Sequence, residues 1–571
     1  MPNSLPNQSV MPITWKEFER YWFIFSLSVT IASLPFSKLG ISIGQLMMTG
    51  GWIVERFNVR KLLTDLAGRS LLQVALRILP LSVYLMFEGI VNGFKQFFRN
   101  KPALLFSSIL LFHLLGLFLT SDLSYALKDL RTKLPFLLFP LFLSTSAGFD
   151  RKAFFRFMLL FVLAVLVRSL FNTWRIQTQN FIDIRDVSRN VSHIIFSLLL
   201  SLGIFTLLYI SMKKRMFPTW LRGLFLLVMI WFFIYLVISQ SFTGFSITLI
   251  TILILIPLII LKAGSRWLKV GLLVFTLAAT MGIFLTLRSI THDYYHVNPV
   301  DFKKLEKFTS RGNPYINSIH ATQTENGNYL WIYIQWDELR SEWNKRSKIP
   351  FDSLNLKNGP VAHTVVRYLT SKGWRKDGDA IDKLSSEEIH AIEKGVANYV
   401  FLKEFSIRGR IYEFLWGFDN YIETGNPTGS TLMQRLEFWK ASLGIIRQNW
   451  LTGVGTGDMN LVFKAQYEQM HSKLSPDQRW RSHNQFLSIF IGFGIIGLMW
   501  FLVAIFYPPV MMRRQDDFFM IVFLIIAVLS MLTEDTIESQ TGVTFFVLFY
   551  SFFLFTRSEK DPLFPKTISY G

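Results

Sequence analysis

The amino-acid sequence predicts an all-α polytopic membrane protein. Long apolar runs recur along most of the 571-residue chain, and about 20 apolar residues in a helix are enough to cross the hydrocarbon core of a bilayer. Charged residues make up 17% of the chain, against about a quarter in soluble domains. Only one long polar stretch, residues 289–484, interrupts the apolar runs.

About twelve apolar segments are predicted to cross the membrane. Nine precede the polar stretch, at residues 21–37, 40–55, 103–120, 134–147, 154–173, 191–211, 220–240, 243–262 and 267–287. Three follow it, at residues 486–507, 518–533 and 541–556. The chain is therefore predicted to contain an N-terminal membrane domain (1–288), an extracytoplasmic loop subdomain (289–484) and a C-terminal membrane domain (485–571).

The apolar segment 71–92 is predicted to lie along the membrane surface. It contains Arg77, Pro80 and Glu88, and basic clusters flank it on both sides. A helix with a basic border of this kind favours contact with anionic lipid headgroups.

Basic residues between the apolar segments predict the orientation of the chain. With segment 71–92 left out of the count, the basic links all fall on one side of the membrane, and Lys and Arg are enriched in cytoplasmic loops. Both termini are then cytoplasmic. The extracytoplasmic parts are residues 121–133, 174–190, 289–484 and the acidic link 533–540.

The polar stretch 289–484 is predicted to fold into a small, mostly helical subdomain. Residues 385–405 have apolar positions at spacings of three to four residues, which is typical of a helix. Ser385 and Glu388 have the spacing of a capping box at its start.

The composition excludes several kinds of function. A net charge of +20 is compatible with nucleic-acid binding, but the basic residues lie mainly in short links, where they orient membrane segments. The chain has no cysteine, so disulfides and thiolate metal sites are excluded. We expect no cofactor and no metal ion.

A histidine motif begins the first apolar segment after the polar stretch. Residues 483–497 read His-Asn, nine further residues and Gly-Ile-Ile-Gly. Upstream, the segment RLEFWKASLGIIRQNWLTGVGTGD (435–458) joins Arg435 to a glycine-rich turn. These features resemble the bacterial O-antigen ligase family, whose members have a GT-C-like fold with about a dozen spans and one large periplasmic loop before the last helices. The resemblance extends to residues 127–141, 191–205 and 534–546.

The resemblance implies transfer of a glycan from undecaprenyl diphosphate to an acceptor hydroxyl on the periplasmic face of the bacterial inner membrane. The acceptor is the lipid A core or a similar molecule. The diphosphate gains negative charge as the glycosidic bond breaks, and arginine stabilises such charge through paired contacts with phosphate oxygens. A histidine can take the proton of the attacking hydroxyl, and a single displacement inverts the anomeric carbon.

On this resemblance, His483 is the base and Arg435 is the main diphosphate ligand. Arg481 and Arg189 are further candidates for the same charge. Supporting roles fall to Asn484, Gly455, Gly457, Asp458, Asp535 and Glu538. One carboxylate among Glu534, Asp535 and Glu538 can orient Arg435 or the acceptor, or all three can be ordinary hydrated carboxylates of the loop.

The residues alone leave simpler interpretations open. His483 can be a hydrogen-bonded histidine at the membrane interface, and Arg435 can be a solvated loop arginine. The turn at 453–458 can bind an anion with its backbone amides or pack the loop on the membrane domain.

Phe242 departs from the pattern of the family. Many relatives carry an arginine at the start of a mid-chain helix, and Phe242 occupies that place here. The resemblance then requires another cation, with Arg189 and Arg288 as candidates.

Other functions compete with ligation to a glycolipid. A polymerase or a protein O-glycan ligase of the same superfamily shares the chemistry and differs in its acceptor. A transporter of lipid-linked glycans is disfavoured, because most spans lack charges and the chain has no evident internal repeat. A scaffold without catalysis would tolerate loss of His483.

Overall fold

The computed structural model describes residues 15–146, 148–179, 187–188, 190–213, 216–262, 266–318, 320, 322–402 and 406–556. Within these residues the chain is all-α apart from one short antiparallel hairpin, β1 (Thr324–Glu325) and β2 (Asn328–Tyr329). The helices up to the hairpin are α1 (Trp15–Ser33), α2 (Lys38–Glu55), α3 (Val59–Leu66), α4 (Leu71–Arg99), α5 (Lys101–Leu115), α6 (Leu123–Lys133), α7 (Pro135–Thr145), α8 (Arg151–Thr178), α9 (His193–Ser211), α10 (Thr219–Ile238), α11 (Phe242–Lys262) and α12 (Arg266–Tyr295). Those after it are α13 (Trp336–Arg346), α14 (Val361–Ser371), α15 (Gly378–Asp382), α16 (Ser386–Glu393), α17 (Ile407–Thr424), α18 (Thr431–Gln448), α19 (Met459–Gln469), α20 (Gln485–Met511), α21 (Phe518–Thr533) and α22 (Gln540–Phe555).

Each predicted apolar segment is helical over most of its length. Among the described residues, seven helices are long and apolar enough to cross a membrane, namely Leu71–Arg99, Lys101–Leu119, Arg151–Thr178, His193–Ser211, Thr219–Ile238, Lys269–Tyr295 and Gln485–Met511. Shorter apolar helices lie at Phe242–Leu258, Phe518–Thr533 and Gln540–Phe555. The chain is thus an all-α polytopic membrane protein, and the number of twelve spans stays a prediction.

Segment 71–92 forms most of α4, which is also long and apolar enough to cross a membrane. Its C-terminal half packs closely on Arg56. A Cβ added at Gly89 would lie 2.2 Å from the Arg56 carbonyl oxygen, and one at Gly93 would lie 2.3 Å from Arg56 Nε. The interfacial position of residues 71–92 stays a prediction.

Helices α6 and α7 follow each other with only Leu134 between them. Pro135 has no N–H, so it interrupts the hydrogen-bond ladder at this point. Helix α7 has 11 residues and is about 16 Å long, roughly half the thickness of a bilayer's hydrocarbon core. On α6, Tyr125, Asp129 and Lys133 recur every four residues and share one face.

The described residues form two compact units. The first comprises the described residues within Met1–Leu272 and Arg435–Gly571, and the second comprises those within Leu273–Gln434. In the first unit, α9 and α22 are buried on all sides, as expected of helices that are apolar all round. Phenylalanine rings fill the space between helices. Phe154, for example, meets Phe519 edge-on with ring centroids 5.2 Å apart.

The second unit has its own core around Trp343 and Tyr368. The predicted capping box is confirmed, because Ser385 Oγ accepts from Glu388 N at 3.2 Å and Glu388 Oε2 accepts from Ser385 N at 2.9 Å. Helix α16 ends at Glu393, earlier than the predicted residue 405, and Gly395 follows with a φ of +81°. Left-handed backbone of this kind ends a helix.

The second unit ends at Gln434, before the predicted boundary at residue 484. Residues 435–484 belong to the first unit because α18 and α19 share a small apolar core with α20. Phe438, Phe463 and Ile491 are buried in that core.

Candidate active site

His483 lies immediately before α20 with a left-handed backbone, at φ +45°. Such a conformation is uncommon for residues other than glycine. Asn484 caps α20, because its Oδ1 accepts from Phe486 N at 3.0 Å and from Leu487 N at 3.1 Å. Its Nδ2 donates to the Leu532 carbonyl oxygen at 3.0 Å. The His-Asn pair therefore fixes the imidazole at the entrance of α20, next to the end of α21.

Glu534 joins His483 to Arg435. His483 Nδ1 lies 3.1 Å from Glu534 Oε2, and Arg435 Nη2 lies 2.5 Å from Glu534 Oε1. Arg435 Nη1 also donates to the Thr533 carbonyl oxygen. We call Arg435, Glu534 and His483 the His483 cluster. One carboxylate thus orients both of the principal residues predicted from the sequence.

Glu534 carries its negative charge within this cluster. Burial opposes its ionisation, but the hydrogen bond with His483 and the positive charge of Arg435 outweigh burial and lower the pKa of Glu534. A carboxylate at Nδ1 favours the tautomer in which Nδ1 carries the proton and Nε2 carries the lone pair. No hydrogen bond from the described residues reaches Nε2, and the His483 side chain is 32% exposed. The imidazole is therefore arranged to accept a proton through Nε2.

Lys133 lies at the centre of a second cluster, which is built on the link between α21 and α22. Its ammonium is fully buried and donates to the Ile537 carbonyl oxygen at 2.5 Å. It lies 3.0 Å from Glu538 Oε1 and 3.6 Å from Asp129 Oδ1. Gln485 completes the contact by donating to Glu538 Oε1 and accepting from Ile537 N, both at 2.9 Å. We call Asp129, Lys133, Gln485 and Glu538 the Lys133 cluster.

Arg481 contacts the Lys133 cluster. Its Nε donates to Asn460 Oδ1 at 3.0 Å, its Nη2 donates to the Tyr125 hydroxyl, and its Nη1 lies 3.9 Å from Glu538 Oε2. Burial opposes the charge of Arg481, but Glu538 and Tyr125 raise its pKa above the usual value. These contacts favour a positioning role, and binding of the donor diphosphate by Arg481 stays a prediction. Arg189 lies outside the described residues.

Asp535 lies between the two clusters. Its Oδ1 accepts from Ser488 Oγ at 2.7 Å and from Ser482 Oγ at 3.3 Å. Desolvation and the negative charge of Glu538 raise the pKa of Asp535. This residue therefore ties the link to the first turn of α20.

Gly494 interrupts α20 with φ +65° and ψ −168°. A Cβ here would lie 2.1 Å from the Leu451 carbonyl oxygen, so only glycine fits. The interruption leaves two carbonyl groups available, and the glycine-rich turn uses both. Val454 N donates to Ile491 O and Gly455 N donates to Gly492 O, each at 2.9 Å.

The rest of the turn packs on the link before α6. A Cβ at Gly457 would lie 2.2 Å from the Asp122 carbonyl oxygen. Asp458 Oδ1 accepts from Ser121 N at 2.8 Å and from Asp122 N at 2.9 Å. These contacts favour the packing interpretation of residues 453–458 over binding of an anion.

The comparisons with known proteins bear on this region. Residues 390–502 match the family model described as O-antigen ligase. This match covers about a fifth of the chain and supports membership of the O-antigen ligase family. The match includes Arg435, the glycine-rich turn and the histidine motif, so the resemblance seen in the sequence is confirmed. No curated protein matches the chain significantly.

The match supports a membrane enzyme of the glycosyltransferase type. It implies a lipid-linked glycan donor and a lipid acceptor. Glu534 and the Lys133 cluster lie mostly outside the matched residues.

Sequence reasoning did not single out Lys133 or Asp129. The signal available was the spacing of Tyr125, Asp129 and Lys133 on one face of α6, within a segment already noted for its resemblance to the O-antigen ligase family. Phe242 begins α11 and is exposed, and the cation that replaces the missing arginine stays a prediction.

Proposed function

We propose that the chain transfers a glycan en bloc from undecaprenyl diphosphate to a hydroxyl of the lipid A core or a similar acceptor, on the periplasmic face of the inner membrane. The observation that carries the proposal is the connection of His483 to Arg435 through Glu534, at 3.1 Å and 2.5 Å. A proton acceptor and a cation held by one carboxylate suit a reaction in which a hydroxyl loses a proton while a phosphate oxygen gains charge.

His483 is the general base in this proposal. Glu534 accepts a hydrogen bond from Nδ1, and Nε2 takes the proton of the acceptor hydroxyl as its oxygen bonds to the anomeric carbon. The bond between that carbon and the diphosphate oxygen breaks at the same time, and the configuration inverts. General-base catalysis of this kind contributes roughly 10²-fold to 10⁴-fold to a rate.

Arg435 stabilises the departing diphosphate. Two of its N–H groups are used by Thr533 and Glu534, which fixes the plane of the guanidinium. Its other N–H groups suit phosphate oxygens, and hydrogen bonds between charged partners are about twice as strong as neutral ones. No metal ion is required in this scheme.

Twelve spans with cytoplasmic termini would place the His483 cluster on the periplasmic side. The chain has no native cysteine, so single cysteines report sidedness directly. A membrane-impermeant maleimide should label Lys357→Cys in intact spheroplasts, and should label Lys152→Cys only after permeabilisation. The opposite pattern would contradict the proposed orientation.

Reconstitution of the purified chain tests the reaction itself. Wild-type protein and His483→Ala are supplied with a defined undecaprenyl-diphosphate glycan and candidate acceptors, and the products are identified by mass. Wild-type protein should form a glycan-acceptor adduct of one complete block, and the variant should not. Repeats that grow on the carrier would indicate a polymerase instead, and a peptide adduct would indicate a protein ligase. Absence of any covalent product would contradict the proposed transfer reaction.

A further inference from the structure

Helix α17 of the second unit exposes its apolar face. Ile407, Phe414, Phe418 and Ile422 recur at helical spacing on that face. Between 38% and 68% of each side chain is exposed. In a domain surrounded by water, the apolar face of an amphipathic helix is normally the buried one, so this face requires an apolar surrounding.

Another side of α17 binds the end of α12. The Tyr295 hydroxyl donates to Asp419 Oδ1 at 2.9 Å, and Arg408 pairs with Asp293. The rings of Tyr294 and Tyr412 meet edge-on with centroids 5.1 Å apart. These contacts fix α17 beside the last turns of α12.

The position of those turns in the bilayer follows from the length of α12. The segment Lys269–Tyr295 is long and apolar enough to cross a membrane, and no residue of its most apolar window is buried, as expected of a helix that faces lipid. Trp267 and Tyr294 lie near the two ends of α12 and are about 40 Å apart along the helix, close to the thickness of a bilayer with its headgroups. Trp and Tyr are enriched at these two levels.

We propose that α17 is an interfacial helix whose exposed apolar face lies in the outer leaflet, at the boundary between headgroups and acyl chains. The surface of the lipid bilayer is the partner. This inference does not depend on the transfer reaction, so the two can fail separately.

Site-directed spin labelling tests this position, because the chain has no cysteine of its own. A nitroxide is attached to Phe418→Cys, and to Glu413→Cys on the opposite side of α17 as the matched control. Both proteins are placed in nanodiscs of phosphatidylethanolamine and phosphatidylglycerol. We expect oxygen, which concentrates in lipid, to relax the label at 418 several-fold more than a water-soluble nickel complex does. The order of the two relaxants should be reversed at 413.

Two results would overturn the proposal. Equal access of the nickel complex to both labels would place the apolar face in water. A label at 418 that is immobilised and shielded from both relaxants would show that protein covers the face, either the first unit or a second copy of the chain. Phe414→Cys repeats the measurement on the same face, so the outcome does not depend on one variant folding.

Discussion

The His483 cluster and the Lys133 cluster are built on the same short link between α21 and α22, yet they differ in exposure. Each pairs cations with a glutamate, Glu534 in one and Glu538 in the other. The His483 side chain is 32% exposed, whereas the Lys133 side chain is completely buried. Groups that must meet a substrate need access, and groups that hold a chain segment do not. Changes in the His483 cluster should therefore affect mainly the rate of transfer, and changes in the Lys133 cluster should affect mainly the stability of the fold.

Removal of the imidazole should have the largest effect on rate. His483→Ala is expected to lower glycan transfer by roughly 10²-fold to 10⁴-fold, the usual contribution of a general base. Folding should be little affected, because the side chain is partly exposed. The rate of product formation by purified protein measures the effect. His363→Ala, at an exposed histidine of α14, is the control and should retain full activity.

Glu534→Gln should have the next largest effect. The amide keeps the size of the side chain but carries no negative charge to pair with Arg435. The orientation of the imidazole is also no longer fixed by a carboxylate. We expect a loss of roughly 10²-fold, a large part of the contribution of the base. Donor concentration series separate kcat from KM. An unchanged kcat would show that Glu534 does not orient the base.

Arg435→Lys should cause a smaller loss than Arg435→Ala. Lysine keeps a positive charge but cannot make the paired contacts of a guanidinium. One hydrogen bond to a charged group contributes about 1.5–3 kcal/mol, which corresponds to roughly tenfold or more in the use of donor. Steady-state kinetics with varied donor measure it. Full activity of the lysine variant would argue against a paired contact with diphosphate.

Lys133→Met should affect stability much more than the rate of the folded enzyme. Removal of one partner from a buried ion pair costs about 3–5 kcal/mol, because the other charge is left buried and unpaired. Thermal unfolding should therefore shift strongly, and Lys133→Met combined with Glu538→Gln should regain part of the loss. A variant of normal stability with no activity would instead place Lys133 in the reaction.

The smallest expected effect concerns pH. The pKa of Glu534 is lowered in the folded protein, so its ionisation stabilises the fold above the pKa of the unfolded chain. That stabilisation is lost as pH falls through the lower, folded pKa. The difference in Tm between wild-type protein and Glu534→Gln should therefore be present at neutral pH and shrink on acidification into this range. A difference independent of pH would contradict the charged state assigned to Glu534.

The sequence predicts the helices well because a membrane span is a local property of length and hydropathy. The resemblance to the O-antigen ligase family singles out His483 and Arg435, since they lie in one motif-bearing stretch, and their catalytic roles stay predictions. It does not find the contact of Lys133 with Glu538, because the two residues are far apart in the chain and no local pattern connects them.

Two further features depend on tertiary structure. Gly494 was recognised by its spacing in the motif, but its role follows from the close approach of Leu451. The division of the compact units at Gln434 also depends on tertiary packing, because residues 435–484 are polar in composition yet pack with α20. The end of the extracytoplasmic loop at residue 484 stays a prediction.

A double-mutant cycle at His483 and Glu534 tests most directly the claim that the two residues act as one unit. Transfer rates of His483→Ala, Glu534→Gln and the combined variant are compared with wild-type protein in the reconstituted reaction. Residues that act as a unit are not additive, so the combined variant should lose much less activity than the product of the two single losses. Only the part that Glu534 exerts through Arg435 should add to the loss of the imidazole. If the two losses multiply in the combined variant, the carboxylate does not work through the histidine.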